Sequence, residues 1–152
     1  MSVLLLTHPA GLEHDTGPGH PERIARLRAV TAALAAPDFA ALIREEAPAA
    51  TREQLGRVHP AAYIETVLSK RPAPGKLVRL DPDTVMSAGS AEAASRAAGG
   101  AIAAVDAVHT GRVRAAFVAT RPPGHHAEPD RSMGFCFFSN AAIAAHHARA
   151  AW

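Results

Sequence analysis

Val3 to Leu6 (VLLL) is a continuous apolar run closed by Thr7-His8-Pro9. Such a run, with no polar alternation, is the pattern of a strand buried on both faces, as in a parallel sheet covered by helices. Val113 to Ala119 (VRAAFVA) is a second strand expected to be buried, and Leu42 to Ala47, closed by Pro48, is a third candidate. Helical patterns fill the intervals. Pro21 stands where a first helical position is expected, followed by Ile24, Leu27, Val30 and Leu34 at helical spacing. Val58-His59-Pro60 opens another helix, with Tyr63–Val67 and Ile64–Leu68 as i, i+4 pairs. An alanine-rich helix is expected from about Ser90 to His109, with Ile102, Val105 and Val108 marking one face and Gly111 at the left-handed C-cap. Gly99-Gly100 inside it lowers helix propensity, which predicts close packing against a neighbouring backbone.

Strand, helix, strand, helix is the alternation of an α/β fold with a parallel sheet. In such sheets ligands bind beyond the carboxyl ends of the strands. His8 lies just past the first strand and His125-His126 just past the second, so position alone makes the tandem histidines a site candidate. The 152 residues, 48% hydrophobic and 20% charged, suit one soluble domain. The formal charge is only +2, and the arginines are dispersed from Arg23 through Arg57 and onward. That reads as a solvated surface and argues against a nucleic-acid stripe. Cys136 is the sole cysteine, so neither an internal disulfide nor a cysteine zinc cage can form. A reducing compartment fits. MSVLLLTHPAGLEHD has no basic n-region, and its apolar run is too short for a signal peptide or a membrane span. A cytoplasmic location without membrane association is therefore expected. Ser139 can cap a last helix running from near Asn140 through Ile143 to Trp152. No glycine, proline or strand follows it, and the sequence reads as truncated.

Residues 121–138, RPPGHHAEPDRSMGFCFF, place two adjacent histidines on a proline-glycine turn and then an aromatic cluster around Cys136. Adjacent imidazoles couple their titrations, so one can stay neutral as a base beside a charged partner. Gly134-Phe135-Cys136-Phe137-Phe138 is either a buried strand or turn, or an aromatic wall of a narrow apolar channel. Cys136 carries no pattern of an activated nucleophile and reads as an inert buried thiol.

His14, His20 and Glu22 are candidate metal ligands, but His20 before Pro21-Glu22 is read more simply as the start of a helix, and His59-Pro60 likewise. His146 and His147 lie about 100° apart on a helix and do not share one metal there. Asp81, Asp83 and Thr84 in DPDT are read as turn residues only.

Together, RPPGHHA, GFCFFSNAAIAA, GPGHPERIARLRAV, VHPAAYIETV and DPDTVMSAGSAEAASRAAGG resemble the N-terminal half of the histone deacetylase superfamily, on its class II-like bacterial branch. That superfamily includes bacterial acetylpolyamine amidohydrolases and acetoin-utilisation proteins. The resemblance implies an arginase/deacetylase-like α/β fold, a parallel sheet with flanking helices. It also implies zinc-dependent hydrolysis of an acetylated amine, either acetyl-lysine or acetylpolyamine. By motif match, His126 is the acid/base and His125 its electrostatic partner. Gly134 and Phe135 line the substrate channel, and the loop from His14 to Pro21, with His20 and Pro21, sits at its rim.

The chain is half the length such a family leads one to expect. The family's zinc ligands, an Asp-x-His pair and a later aspartate, have no counterpart here. No aspartate of the sequence is followed two positions later by histidine. Residues 1–152 are therefore expected to be the N-terminal portion of one deacetylase domain, inactive alone, with zinc implied by the family but no metal ligands of its own. Two alternatives stand. One is a non-catalytic half-domain that self-associates or assembles with a separate C-terminal half through an unfinished sheet edge. The other is a metal-binding module improvised from His125, His126 and neighbouring histidines.

Overall fold

The computed structural model describes residues 2–152. Its centre is β1 (Val3–Thr7), flanked in parallel by β2 (Ile43–Glu46) and β5 (Ala115–Ala119), in the order β2-β1-β5. Leu4 pairs with Ile43 on one side and Ala116 on the other, and Thr7 with Glu46 and Ala119. Leu4, Leu5 and Leu6 are all buried, as the apolar run requires. A two-stranded antiparallel ribbon, β3 (Val78–Arg79) and β4 (Val85–Met86), stands apart. The helices are α1 (Ile24–Leu34), α2 (Arg52–Leu55), α3 (Ala61–Ser69), α4 (Ser90–His109) and α5 (Asn140–Ala151).

The layering follows from α4. On one side Ala103, Ala104 and Ala107 meet Leu4, Leu6, Ala116 and Val118 of the sheet. On the other, Ala91, Ala94, Ala98 and Ile102 join Leu55 of α2, Ile64 and Val67 of α3, Phe137, Phe138 and Ile143 of α5 in a second core. A helix covered on both sides reads as small and apolar nearly all round. Its buried surface is thus carried by alanine and glycine. The expected face of Ile102, Val105 and Val108 is not the buried one: Ile102 is inside, but Val108 is exposed. At Gly99 the predicted close approach is present. A Cβ there would lie 2.0 Å from the Pro48 carbonyl oxygen.

Three other readings are corrected. The last strand is not buried on both faces: it starts at Ala115, forms one edge of the three-stranded sheet, and leaves Phe117 50% exposed. Helix α1 starts at Ile24, with Arg23 at its N-cap, so Pro21 lies before it. Glu22 is committed elsewhere: its carbonyl accepts the Thr16 hydroxyl and its carboxylate is buried. Ser139 occupies the N-cap of α5, but its side chain makes no capping bond. Among the described residues no helix is long and apolar enough to cross a membrane.

Candidate active site

The loop that leaves the carboxyl end of β5 begins with Arg121, and Arg121 is not a surface charge. Its Nε and Nη2 donate to Glu22 Oε1 and Oε2 at 2.5 and 2.6 Å, and its Nη1 donates to the carbonyls of Gly11 and His14. Both members of the pair are buried. His14 Nε2 faces Glu22 Oε2 at 3.5 Å, and its Nδ1 lies 2.7 Å from the Ser90 hydroxyl at the start of α4. Burial acts to raise the Glu22 carboxyl, but the His14 and Arg121 hydrogen bonds and the guanidinium charge prevail and hold it down to about 2. Burial lowers the His14 imidazole, against the pull of Glu22. Glu22 thus forms a buried ion pair with Arg121, with His14 packed beside its carboxylate.

Four residues past Arg121 the environment inverts. His125 and His126 are exposed, their rings 4.2 Å apart between centroids and tilted by 51°. The His125 N–H points at Cys136 Sγ at 3.4 Å, and Gly134 packs against His126, where an added Cβ would sit 2.8 Å from the ring carbon Cγ. Phe135 is half-buried and meets the His20 ring edge-on at 4.9 Å. The structure therefore gathers His125, His126, Gly134, Phe135 and His20 around one loop. Pro21, adjacent to His20, is exposed. Of the aromatic cluster only Phe135 is left at the surface; Cys136, Phe137 and Phe138 are core residues. His8 is used locally, its Nδ1 accepting the Ala10 N–H.

The far limb of the loop is held by α3 and the residue before it. His59 Nδ1 bonds the Pro129 carbonyl at 2.7 Å, and its Nε2 accepts the Ser139 N–H at 3.0 Å. One bond needs a proton on Nδ1 and the other a free lone pair on Nε2, so His59 is the neutral Nδ1–H tautomer. Burial lowers its pKa, against its bond to Pro129. The Tyr63 hydroxyl, pushed up to about 12 by burial, donates to the Phe137 carbonyl and lies 2.7 Å from Ser132 Oγ. Thr84 Oγ1 accepts the Phe135 N–H at 3.0 Å, so the DPDT turn does more than reverse the chain. On α5, His147 is held between Arg57 and Asp106, at 2.5 and 2.6 Å. Sequence reasoning gave Arg121, Tyr63 and Thr84 no bracing role; His59-Pro60 does open α3, as expected, but its two imidazole bonds to the loop were not foreseen. A lone tyrosine and a His-Pro at a helix start were the only local signals.

Among the described residues no group of three or more His, Cys, Asp or Glu side chains is placed to hold a metal ion. A catalytic zinc takes three protein ligands with a fourth position open. The residues present do not fit a zinc centre.

The architecture is a helix-covered parallel sheet with a histidine pair on the loop beyond a strand's carboxyl end. The Histone deacetylase domain family matches residues 20–152, and the chain belongs to that family. It is 40% identical over 148 residues to the histone deacetylase-like amidohydrolase of Pseudomonas aeruginosa, covering 95% of this chain and 38% of that protein. It is 36% identical to a probable deacetylase of Methanothermobacter thermautotrophicus, covering 96% of this chain and 43% of that one. The crystal structure of the HDA15 HD domain superposes with a TM-score of 0.91 at 34% identity, over 99% of this chain and 44% of that domain. The chain thus spans about two-fifths of the length of each of these three proteins.

Proposed function

We propose that this chain carries the acid–base part of a deacetylase site that hydrolyses an acetylated amine, acetyl-lysine or acetylpolyamine, to acetate and free amine. His126 takes the proton of the water that attacks the acetamide carbonyl and returns it to the departing amine nitrogen as the C–N bond breaks. His125, its ring 4.2 Å away, is the electrostatic partner of His126. Phe135 lines the channel that grips the linear acyl-amine chain, the Gly134 backbone helps position it, and His20 and Pro21 sit at the rim. The observation that carries the reading is an exposed histidine pair on the loop that also presents Phe135, whose ring meets His20 of a distant loop edge-to-face.

Family membership implies zinc, and in this proposal its ligands belong to the part of a deacetylase domain that this chain does not span. Residues 1–152 are accordingly the N-terminal portion of one domain and turn over no substrate unaided. The test is hydrolysis of an acetyl-lysine peptide and of acetylputrescine, with the chain alone and with the unmatched remainder of the Pseudomonas aeruginosa relative added. The expected result is turnover only in the mixture. Turnover by the chain alone, with about one zinc bound per chain, overturns the division.

A second reading, a non-catalytic half-domain that works by assembly, draws on the β5 edge. There exposed Phe117 and Val30 line one cleft with Arg26, Leu27 and Val118. It predicts a stable complex with a separately expressed C-terminal half without any gain in turnover.

A further inference from the structure

Met133 and Cys136 exchange two backbone hydrogen bonds, Met133 N–H to the Cys136 carbonyl at 3.1 Å and the reverse at 2.9 Å. Between them Gly134 and Phe135 have φ of 56° and 69°. Two positive φ values in a two-residue loop are the pattern of a type I′ turn, whose central positions favour glycine or asparagine. Phe135 is the one non-glycine residue at positive φ among the described residues. A side chain bearing a Cβ crowds the following carbonyl there, so the conformation persists only where the surroundings impose it. Phe135 is not held by the core, since its ring is half-exposed while Phe137 and Phe138 are inside.

What imposes it comes from one turn. The buried Thr84 hydroxyl accepts the Phe135 N–H, a donor that the hairpin itself leaves free. The neighbouring Asp83 carbonyl bonds His20 Nε2 at 3.0 Å, and His20 is the ring that stands against Phe135. The turn is stiffened from within, Asp81 Oδ1 accepting the N–H groups of Asp83 at 2.8 Å and Thr84 at 2.7 Å. One four-residue turn therefore grips both members of the aromatic pair.

We infer that Thr84 is a positioning residue for Phe135, and that the Asp81–Thr84 turn fixes where the Phe135 and His20 rings meet and so the position of the wall they present to an acyl-amine chain. The substrate consequence rests on the reading that Phe135 lines the channel; the clasp does not.

The test uses the whole chain with Thr84→Val, which keeps the shape and loses the acceptor, and Thr84→Ser, which keeps the acceptor. Amide exchange at Phe135 is expected to quicken about tenfold in Thr84→Val, the effect of one lost hydrogen bond, and to stay near the parent rate in Thr84→Ser. Unchanged exchange in Thr84→Val, or equal quickening in both, overturns the clasp. Should Thr84→Val fail to fold, Thr84→Ala is compared with and without Phe135→Gly. Glycine rests at positive φ unaided, so the cost of Thr84→Ala must shrink in that background, and an undiminished cost overturns the proposal. For the substrate consequence, Nε-acetyl-lysine amide is titrated while the Phe135 and His20 resonances are followed. Binding several-fold weaker in Thr84→Val and restored in Thr84→Ser supports it. A parent chain whose Phe135 and His20 signals do not respond overturns the channel reading, while the exchange result still decides the clasp.

Discussion

Arg121 and His125 are four residues apart and opposite in environment. Arg121 is buried with all its bonds internal, against Glu22, Gly11 and His14. His125 and His126 face solvent, with the nearest restraint on their loop a weak bond to sulfur. The contrast shows how an exposed histidine pair, the proposed acid–base pair, is held on a loop. The backbone is fixed by a buried ion pair at one end and by His59 and Tyr63 at the other, which leaves the imidazoles free for chemistry. On the proposed reading, stability and reactivity fall to different residues of one segment.

The sharpest way to break that contrast is Glu22→Ala, which strands the Arg121 guanidinium in the interior. The expected loss is about 3–5 kcal/mol in urea denaturation. A loss no larger than that of a surface substitution would show that the pair does not anchor the loop. Gly99→Ala comes next, expected to cost about 1–3 kcal/mol, because the new Cβ meets the Pro48 carbonyl directly. Tyr63→Phe leaves the Phe137 carbonyl without its donor and is expected to cost about 1–2 kcal/mol, with faster amide exchange confined to the loop it holds. At the other extreme His126→Ala is expected to change stability by less than about 0.5 kcal/mol.

Acid sharpens the same contrast. Burial lowers His14 and His59 from 6.5 in the fold, so below 6.5 the unfolded chain takes up more protons there than the folded one. Glu22, held at about 2 against an ordinary 4.5, stays ionised in the fold while the unfolded carboxyl protonates. In each case the unfolded state binds more protons as pH falls, so stability drops in two stages, first below 6.5 and then from 4.5 towards 2. Denaturation at stepped pH should show a smaller second stage in Glu22→Gln than in the parent, the remainder coming from Glu45, Glu65 and Asp81, whose carboxyls are also lowered in the fold. Parallel profiles for the two proteins would contradict the assignment.

Much of this was legible in local sequence. The apolar run of β1 and the limits of α4 depend on near neighbours, as does the grouping of His125, His126, Gly134 and Phe135 within one contiguous segment, and the Gly99-Gly100 pair signalled a close backbone approach without naming its distant partner, Pro48. The placing of His20 beside Phe135 came from the family resemblance and not from spacing. The bracing residues were illegible because their partners lie far along the chain: Thr84 to Phe135 spans 51 residues, Tyr63 to Phe137 74, His59 to Ser139 80 and Glu22 to Arg121 99. Helix α4 misled for another reason: apolar size marks a buried face poorly where packing requires the smallest side chains.

The most direct test of the account is the turnover of an acetyl-lysine peptide by the chain joined with the remainder of the Pseudomonas aeruginosa relative, comparing parent with His126→Ala. The account predicts a fall of about 10²–10⁴-fold, with an unchanged melting temperature. Turnover that survives the substitution, in a protein that still folds, would remove His126 from the chemistry and contradict the division between a buried anchor and an exposed reactive pair.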